Sequence, residues 1–327
     1  MTRRGWILFA ALSVIWGIPY LLIRVADEAV SPPTLVLART AIGAAIILPL
    51  AASRGELKPI LPRWRTLLIY TAVEVAIPWV LLAQAEKRLA SSLSGLLVAA
   101  VPLIGTLLVR VGGERHHLSR GALLGLAIGI GGVAVLVGFD IHGANLTSFA
   151  AMAVVATGYA LGPIIISRKL SDLPSTGVVG FSLGVTAMVY APWGIIDLPS
   201  RMPPGRVVAS IIALGVVCTA AAFLFFFALI AEVGPVRATV ITYVNPAVAV
   251  LLGVVLLNEP FTATTAVGFV LILGGSVLAT GGGRLQRGPT YTDAVPGQPP
   301  GNPGLPVDAG LENSTQEGQM PQGGNTG

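Results

Sequence analysis

The sequence predicts an all-α integral membrane protein with ten transmembrane helices in two inverted five-helix repeats. The first observation is composition: of 327 residues, 54% are hydrophobic and 11% charged, and the mean hydropathy is +0.81. The second is a set of ten apolar runs, each long enough to cross or nearly cross the roughly 30 Å of hydrocarbon in a bilayer. The third is an internal repeat, in which the same prolines, glycines and charges recur about 144 residues later.

The ten apolar runs are the elements of the predicted fold, five in each half of the chain. We expect a first five-helix repeat in residues 1–140 and an inverted second repeat in residues 141–281. Residues 282–327 are rich in Gly, Pro, Asn, Gln and Thr, and such a composition predicts a disordered cytoplasmic tail because it offers too little apolar surface to offset chain entropy. The predicted spans are 5–23, 33–52, 65–85, 92–110, 120–138, 147–167, 177–196, 207–231, 237–257 and 264–280.

The repeat depends on matches that keep their order rather than on any single match. Pro102 is followed by Glu114 much as Pro246 is followed by Glu259. Because each copy holds an odd number of spans, the second copy must be inserted upside down, an architecture typical of secondary transporters. The other pairs are Pro19 and Pro163, Arg24 and Arg168, Pro49 and Pro192, Gly125 and Gly268, and Gly131 and Gly274.

Basic residues indicate orientation rather than a nucleic-acid partner. The net charge is +5, but the basic residues lie in loops that flank the apolar runs. Placing both termini in the cytoplasm puts fourteen Lys and Arg residues inside and five outside, as the positive-inside rule favours. We therefore predict a multi-pass protein of the cell (inner) membrane. The tryptophans expected at the headgroup level, near span ends, are Trp6, Trp64, Trp79 and Trp193.

Short motifs in both halves resemble the ten-span EamA-type permeases of the drug/metabolite transporter superfamily, over about residues 5–280. The resemblance implies a permease for amino acids, nucleobase-like or sugar-derived metabolites, or drugs. It also implies that Glu114 and Glu259 structure the turn into the following span. The motifs are Trp16-Gly-Ile-Pro-Tyr20 ending at Arg24, Ala90-Ser91 before Pro102, Gly113-Glu114, Gly234-Pro235, Tyr243-Val-Asn-Pro246 and Leu257-Asn-Glu259.

Prolines inside five spans are predicted hinges or kinks. Each proline removes one amide donor and frees the carbonyl four residues earlier, which in lipid must face protein or a watery cavity. Two interpretations stay open: hinges for alternating access, or kinks whose freed carbonyls are satisfied by neighbouring groups. These residues are Pro19, Pro78, Pro102, Pro163 and Pro246.

Two formal charges, Arg39 and Glu74, lie well inside predicted spans, and an intramembrane charge is a functional candidate by default. At about 1.5 Å per residue, Glu74 lies near the midplane and Arg39 about 9 Å below the outer edge. Either the two form a structural ion pair, or Glu74 is a proton or cargo site. The predicted cavity wall consists of Trp16, Tyr20, Glu74, Tyr159, Tyr243 and Asn245, with a hydrogen bond to a neighbouring helix as the alternative for Asn245.

Small residues predict close helix packing in the fifth span. Gly121, Gly125 and Gly129 recur every four residues and form a flat stripe. Together with the Gly-rich tenth span this indicates scaffold or a dimer seam, so both monomer and homodimer stay open.

Motifs for other chemistries are missing from the sequence. It contains no H-E-x-x-H and no ATP-binding G-x-x-x-x-G-K-[ST] pattern. Cys218 is the single cysteine and His116-His117 has no third ligand nearby, so we expect no metal and no cofactor. The sequence therefore predicts a permease that is not an enzyme. It moves a small polar metabolite by alternating access, and any coupling is to the proton gradient or the cargo gradient. The alternatives are a membrane-embedded enzyme and a non-transporting membrane subunit.

Overall fold

The computed structural model describes residues 2–111, 119–140, 146–234, 238 and 240–281. The expectations for Glu114, for His116-His117 and for the tail 282–327 fall outside these residues.

Within the described residues, nine helices are long and apolar enough to cross a membrane, and one further apolar helix is shorter. Each overlaps one predicted run, so the ten-helix, all-α prediction is confirmed. In chain order, span 1 is Arg3–Ala26, span 2 Pro32–Ser53, span 3 Leu61–Glu86, span 4 Ser91–Val109, span 5 Arg120–Val137, span 6 Leu146–Leu170, span 7 Ser175–Ile196, span 8 Gly205–Val233, span 9 the shorter Ile241–Leu257, and span 10 Ala263–Thr280.

Local chemistry sets several helix ends. The Thr2 hydroxyl accepts a hydrogen bond from the Gly5 amide (3.0 Å) and caps the start of span 1. Ser31 caps span 2 in the same way, directly before Pro32 and Pro33, whose fixed φ suits a first helical turn. Asn258 ends span 9 in the left-handed conformation (φ 54°) that terminates many helices.

Two pairs of spans from opposite repeats pack closely, span 2 with span 7 and span 5 with span 10. In the second pair a Cβ added at Gly275 would lie 2.5 Å from the Gly129 nitrogen and 2.6 Å from the Gly125 carbonyl oxygen. The predicted stripe therefore serves, at Gly125 and Gly129, as an intramolecular seam. Large apolar side chains face outward elsewhere, among them Met188 and Val270, each 68% exposed, as a lipid-facing surface requires.

Several spans are interrupted. The α-helical hydrogen-bond pattern of span 1 is interrupted between Ile15 and Pro19, and that of span 4 between Val98 and Val101. Trp16, Ile18 and Ala99 in these gaps keep right-handed helical dihedral angles. Span 3 contains a π-helical segment, Thr71–Ala76, and span 8 contains another, Val216–Ala221, at the equivalent position about 145 residues later. We call these two the π segments. Span 6 ends in a third stretch of this type, Ile166–Leu170.

The five prolines fall into two groups. Pro19, Pro78 and Pro102 stand in the first turn of a new helical stretch, directly after an interruption, where a missing amide donor costs little. Pro163 and Pro246 lie inside continuous helices.

One tryptophan prediction is wrong. Trp6, Trp64 and Trp193 are 59%, 49% and 57% exposed near span ends, as expected. Trp79 is only 7% exposed and lies inside the protein, because span 3 continues for seven residues beyond it to Glu86. That indole is available to interior groups.

Candidate functional site

A buried polar cluster joins the two repeats. We define the central cluster as Tyr20, Arg39 and Trp79 from spans 1 to 3 together with Tyr159 and Thr219 from spans 6 and 8. Its key contact crosses between repeats: Arg39 Nε donates to Thr219 Oγ1 at 2.9 Å. The Arg39 guanidinium also lies over the Trp79 ring, 3.7 Å from its centroid, where a cation is attracted by the π face. Arg39 is 7% exposed and Thr219 fully buried, so both partners are desolvated.

The π segment of span 8 aims Thr219 at Arg39. Thr219 Oγ1 donates its own proton to the Leu214 carbonyl, five residues earlier, at 2.8 Å. Because the Thr219 hydroxyl uses its proton in this bond, its oxygen can accept the hydrogen bond from Arg39 Nε. The other π segment makes a related contact across the repeats, since Thr71 Oγ1 of span 3 donates to Ser182 Oγ of span 7 at 2.9 Å. The two contacts join equivalent pairs of helices, spans 2 and 8 in one case and spans 3 and 7 in the other. Both use a residue of a π segment, and π-helical segments often occur at functional sites.

Two tyrosines complete the central cluster. Tyr20 is 7% exposed, Tyr159 is partly buried, and both lie within electrostatic range of Arg39 and of each other. The Trp79 indole interacts with the Tyr159 hydroxyl. The structure therefore brings together three residues that the sequence singled out, Tyr20, Arg39 and Tyr159.

Glu74 lies apart from Arg39. Its carboxylate, on the π segment of span 3, sits against Gly162 of span 6, where an added Cβ would overlap Glu74 Oε2. That oxygen is buried and accepts no hydrogen bond from the described residues. Tyr70 and Tyr159 lie within electrostatic range of Glu74, whereas Arg39 bonds to Thr219 instead. The ion pair that was one interpretation of these residues is not formed in this conformation.

Glu86 is a buried charge that the sequence analysis missed. It is 0% exposed, and neither carboxylate oxygen has a hydrogen-bond partner in the described part of the chain. Its backbone carbonyl accepts from Arg24 Nη1 at 2.5 Å, and its carboxylate is in electrostatic range of Arg39, Asp27 and Glu259. The predicted third span ended at residue 85, and the adjacent Lys87-Arg88 gave Glu86 the appearance of a loop residue.

Two further acids lie beside Glu86 at this end of the spans. Asp27 has both carboxylate oxygens buried and unpartnered among the described residues, and burial raises the pKa of its carboxyl to about 7 despite Lys87 and Arg24 nearby. Glu259 differs. Burial alone would raise the pKa of its carboxyl, but hydrogen bonds from the Ser91 and Ser92 amides (2.7 and 2.9 Å) lower it.

The other predicted wall residues lie outside the central cluster. Trp16 packs against Phe226 of span 8, with ring centroids 4.9 Å apart and the ring planes tilted by 54°. Tyr243 shares a hydrogen bond with Thr280 of span 10 (2.7 Å). With its amide nitrogen turned toward two carbonyls, Asn245 donates to Ile241 (2.9 Å) and to Ser13 of span 1 (3.1 Å), the helix-to-helix bond that was the alternative for this residue.

Comparison with known proteins agrees with this architecture. Residues 3–138 and 146–281 each match the EamA-like transporter family. The "uncharacterized inner membrane transporter YedA" of Escherichia coli strain K12 is 27% identical over 280 residues, 83% of this chain and 88% of that protein. The "uncharacterized transporter YvbV" of Bacillus subtilis strain 168 is 24% identical over 276 residues, 83% of this chain and 89% of its own length.

A solved crystal structure shares the fold, with a TM-score of 0.61 and 24% identity over 86% of this chain and 97% of that one. The family match covers both five-helix halves that the hydropathy and the helices define. The chain therefore belongs to the EamA-like transporter family, with two copies of the family domain.

Proposed function

We propose that the protein is a secondary transporter that moves a small polar metabolite, such as an amino acid, across the inner membrane by alternating access through the central cluster. The observation that carries the proposal is the buried bond between Arg39 of the first repeat and Thr219 of the second. A charged group at this depth is costly and is retained where it serves cargo or ions. Its position between inverted repeats is where such transporters bind cargo.

The shapes of equivalent helices support an alternating-access cycle. Span 1 is broken before Pro19, whereas span 6 continues as a helix through Pro163, its counterpart in the repeat. In transporters with inverted repeats, one repeat rocks against the other around the site. We propose that the two repeats exchange these shapes in that movement, which turns the site toward the other side of the membrane. We propose that the breaks before Pro19 and Pro102 and the π segment before Pro78 act as hinges in this exchange.

Glu74 is the residue we propose for proton coupling. Its buried, unpartnered oxygen beside Tyr159 connects it to the central cluster. We expect Glu74→Gln to fold normally, as judged by size-exclusion chromatography, and to abolish the pH dependence of transport measured between pH 5.5 and 8. Unchanged pH dependence in this variant would rule out Glu74 as the proton site and leave coupling to the cargo gradient.

Transport itself is tested with purified protein in proteoliposomes and a panel of labelled amino acids, nucleobases, sugars and amines. We expect at least one compound to cross faster than in protein-free vesicles. Thr219→Val, which keeps the side-chain shape but removes the acceptor for Arg39, should lower that flux at least tenfold. Thr157→Val is the matched control, because among the described residues the Thr157 hydroxyl bonds to its own helix alone, at Ala153. If no compound crosses, the protein is a non-transporting subunit and the proposal fails.

A further inference from the structure

Arg39 retains unused hydrogen-bond donors in the middle of the protein. Its one hydrogen bond to the described part of the chain uses Nε. The four N–H groups on Nη1 and Nη2 therefore remain available, and a guanidinium presents these donors in a fixed planar fork.

No carboxylate of the described residues forms an ion pair with this cation. The ion pairs within these residues are Arg63 with Asp172 and Arg206 with Glu28, all at exposed positions. Glu74 faces Gly162, and Glu86, although in electrostatic range, makes no ion pair with Arg39. A buried charge without a counterion in direct contact is costly, so an anion that enters the cluster can form the direct ion pair that the protein itself does not supply.

The guanidinium is held in position before any ligand arrives. Thr219 fixes Nε, and the face of Trp79 fixes the plane of the group. Such pre-organisation lowers the entropy cost of binding. The hydroxyls of Tyr20 and Tyr159 stand around the same cation, and Arg39 is the one described cation that acts on both. A single positive charge matches a single negative one, which favours a carboxylate over a phosphate dianion.

We propose that Nη1 and Nη2 of Arg39 bind a carboxylate of the cargo, so that the transported compounds are carboxylate-bearing metabolites. The inference rests on the proposed transport function and names its substrate class. A carboxylate accepts two parallel N–H bonds from a guanidinium, the geometry that gives this pair its strength and selectivity.

The test uses competition in proteoliposomes. The probe is whichever of the twenty labelled L-amino acids shows the largest flux. Its unlabelled 2-oxo acid keeps the carboxylate, whereas its carboxamide and its decarboxylated amine lose it. We expect the 2-oxo acid to compete, and the amide and the amine to compete at least tenfold more weakly. Equal competition by all three would overturn the proposal.

Variants at Arg39 give a second readout. Arg39→Gln should lower carboxylate flux at least tenfold, and Arg39→Lys should lie between Arg39→Gln and the wild type, because an ammonium keeps the charge but not the fork. Arg206→Gln, at an exposed ion pair, is the control and should transport normally. If Arg39→Gln does not fold, Arg39→Lys and the wild-type competition series decide the question.

The outcomes separate the two proposals. If only amines or neutral compounds cross, transport stands and the carboxylate proposal falls. If nothing in the wider panel crosses, the transport function itself falls. The competition series also includes compounds that carry a phosphate instead of a carboxylate. Stronger competition by these compounds would also overturn the carboxylate assignment.

Discussion

At the scale of single residues, Asp27 connects burial to pH. Its carboxyl has an ordinary pKa of 3.8 that burial raises to about 7, with Lys87 and Arg24 opposing the shift and Glu86 nearby. A raised pKa means that the folded protein favours the neutral acid. The stability that this preference contributes is complete below about pH 4 and is lost as the pH rises through about 7.

We therefore expect Asp27→Asn to raise the thermal midpoint of the detergent-solubilised protein by a few degrees at pH 8 and to change it little at pH 4. The reason is that asparagine stays neutral at both values, as the native carboxyl does only at the lower one. The measurement is thermal unfolding at both pH values. A variant that is destabilised equally at both would show that Asp27 acts through packing rather than through its charge.

Charged residues deep in long apolar runs could be recognised from sequence as site candidates, whereas a charged residue near the end of a run could not. Arg39 and Glu74 stand out because charges are rare at such depths. Glu86 escaped notice because two basic residues follow it. Thr219 carried no signal, since a hydroxyl in an apolar helix usually bonds to its own backbone and only the fold reveals that this one also accepts from Arg39.

At the scale of elements, Glu259 stabilises a helix of the opposite repeat. Its two carboxylate oxygens accept the Ser91 and Ser92 amides at the start of span 4. The family resemblance implied a role in the turn after span 9, and the structure adds this contact between repeats. The first amides of a helix have no partner within it, so such a cap stabilises the helix by about 0.5–2 kcal/mol.

Glu259→Ala should thus lower the thermal midpoint by several degrees, because it leaves two partly buried amides without an acceptor. Glu259→Gln should cost less, since the amide oxygen still accepts one bond. Glu28→Gln is the control: it removes an exposed ion pair, and such pairs contribute about 0–1 kcal/mol. Equal effects at Glu28 and Glu259 would contradict the capping role.

Adjacent glycines in span 10 give a matched pair for the seam with span 5. A Cβ at Gly275 meets the backbone of Gly125 and Gly129, whereas a Cβ at Gly274 meets nothing within 4 Å. We expect Gly275→Ala to reduce the yield of folded protein and its thermal midpoint. Gly274→Ala should be neutral or slightly stabilising, because alanine favours helix by up to about 1 kcal/mol. If both variants behave alike, spans 5 and 10 do not pack as described.

The spans themselves could be predicted from hydropathy because each must cross the same thickness of hydrocarbon. Their interruptions could be predicted only in part. Pro19, Pro78 and Pro102 do adjoin breaks or a π segment, but Pro163 and Pro246 lie in continuous helix. The π segment of span 8 contains no proline, and nothing in its sequence distinguishes it from α-helix. Such segments depend on tertiary contacts like the bond between Thr219 and Arg39.

At the scale of the whole molecule, the ten-span arrangement predicts which segments face each side. Fourteen inward against five outward basic residues predict that both termini lie in the cytoplasm. Alkaline phosphatase, active only outside, and a fluorescent reporter, active only inside, can be fused at matched sites. We expect a fusion after Arg287 to report the cytoplasm and a fusion between spans 5 and 6 to report the exterior. An exterior C-terminus would contradict the orientation.

The bond between Glu259 and the start of span 4 has a consequence for biosynthesis. The two partners are separated by 168 positions, so the ribosome must add spans 5 to 9 after the Ser91 amide has entered the bilayer. Until then the Ser91 and Ser92 amides of the newly made first half lack their native acceptor. A nascent chain arrested after span 5 should therefore be recognised by membrane quality-control proteases. Synthesis of the second half supplies the Glu259 carboxylate that the start of span 4 needs.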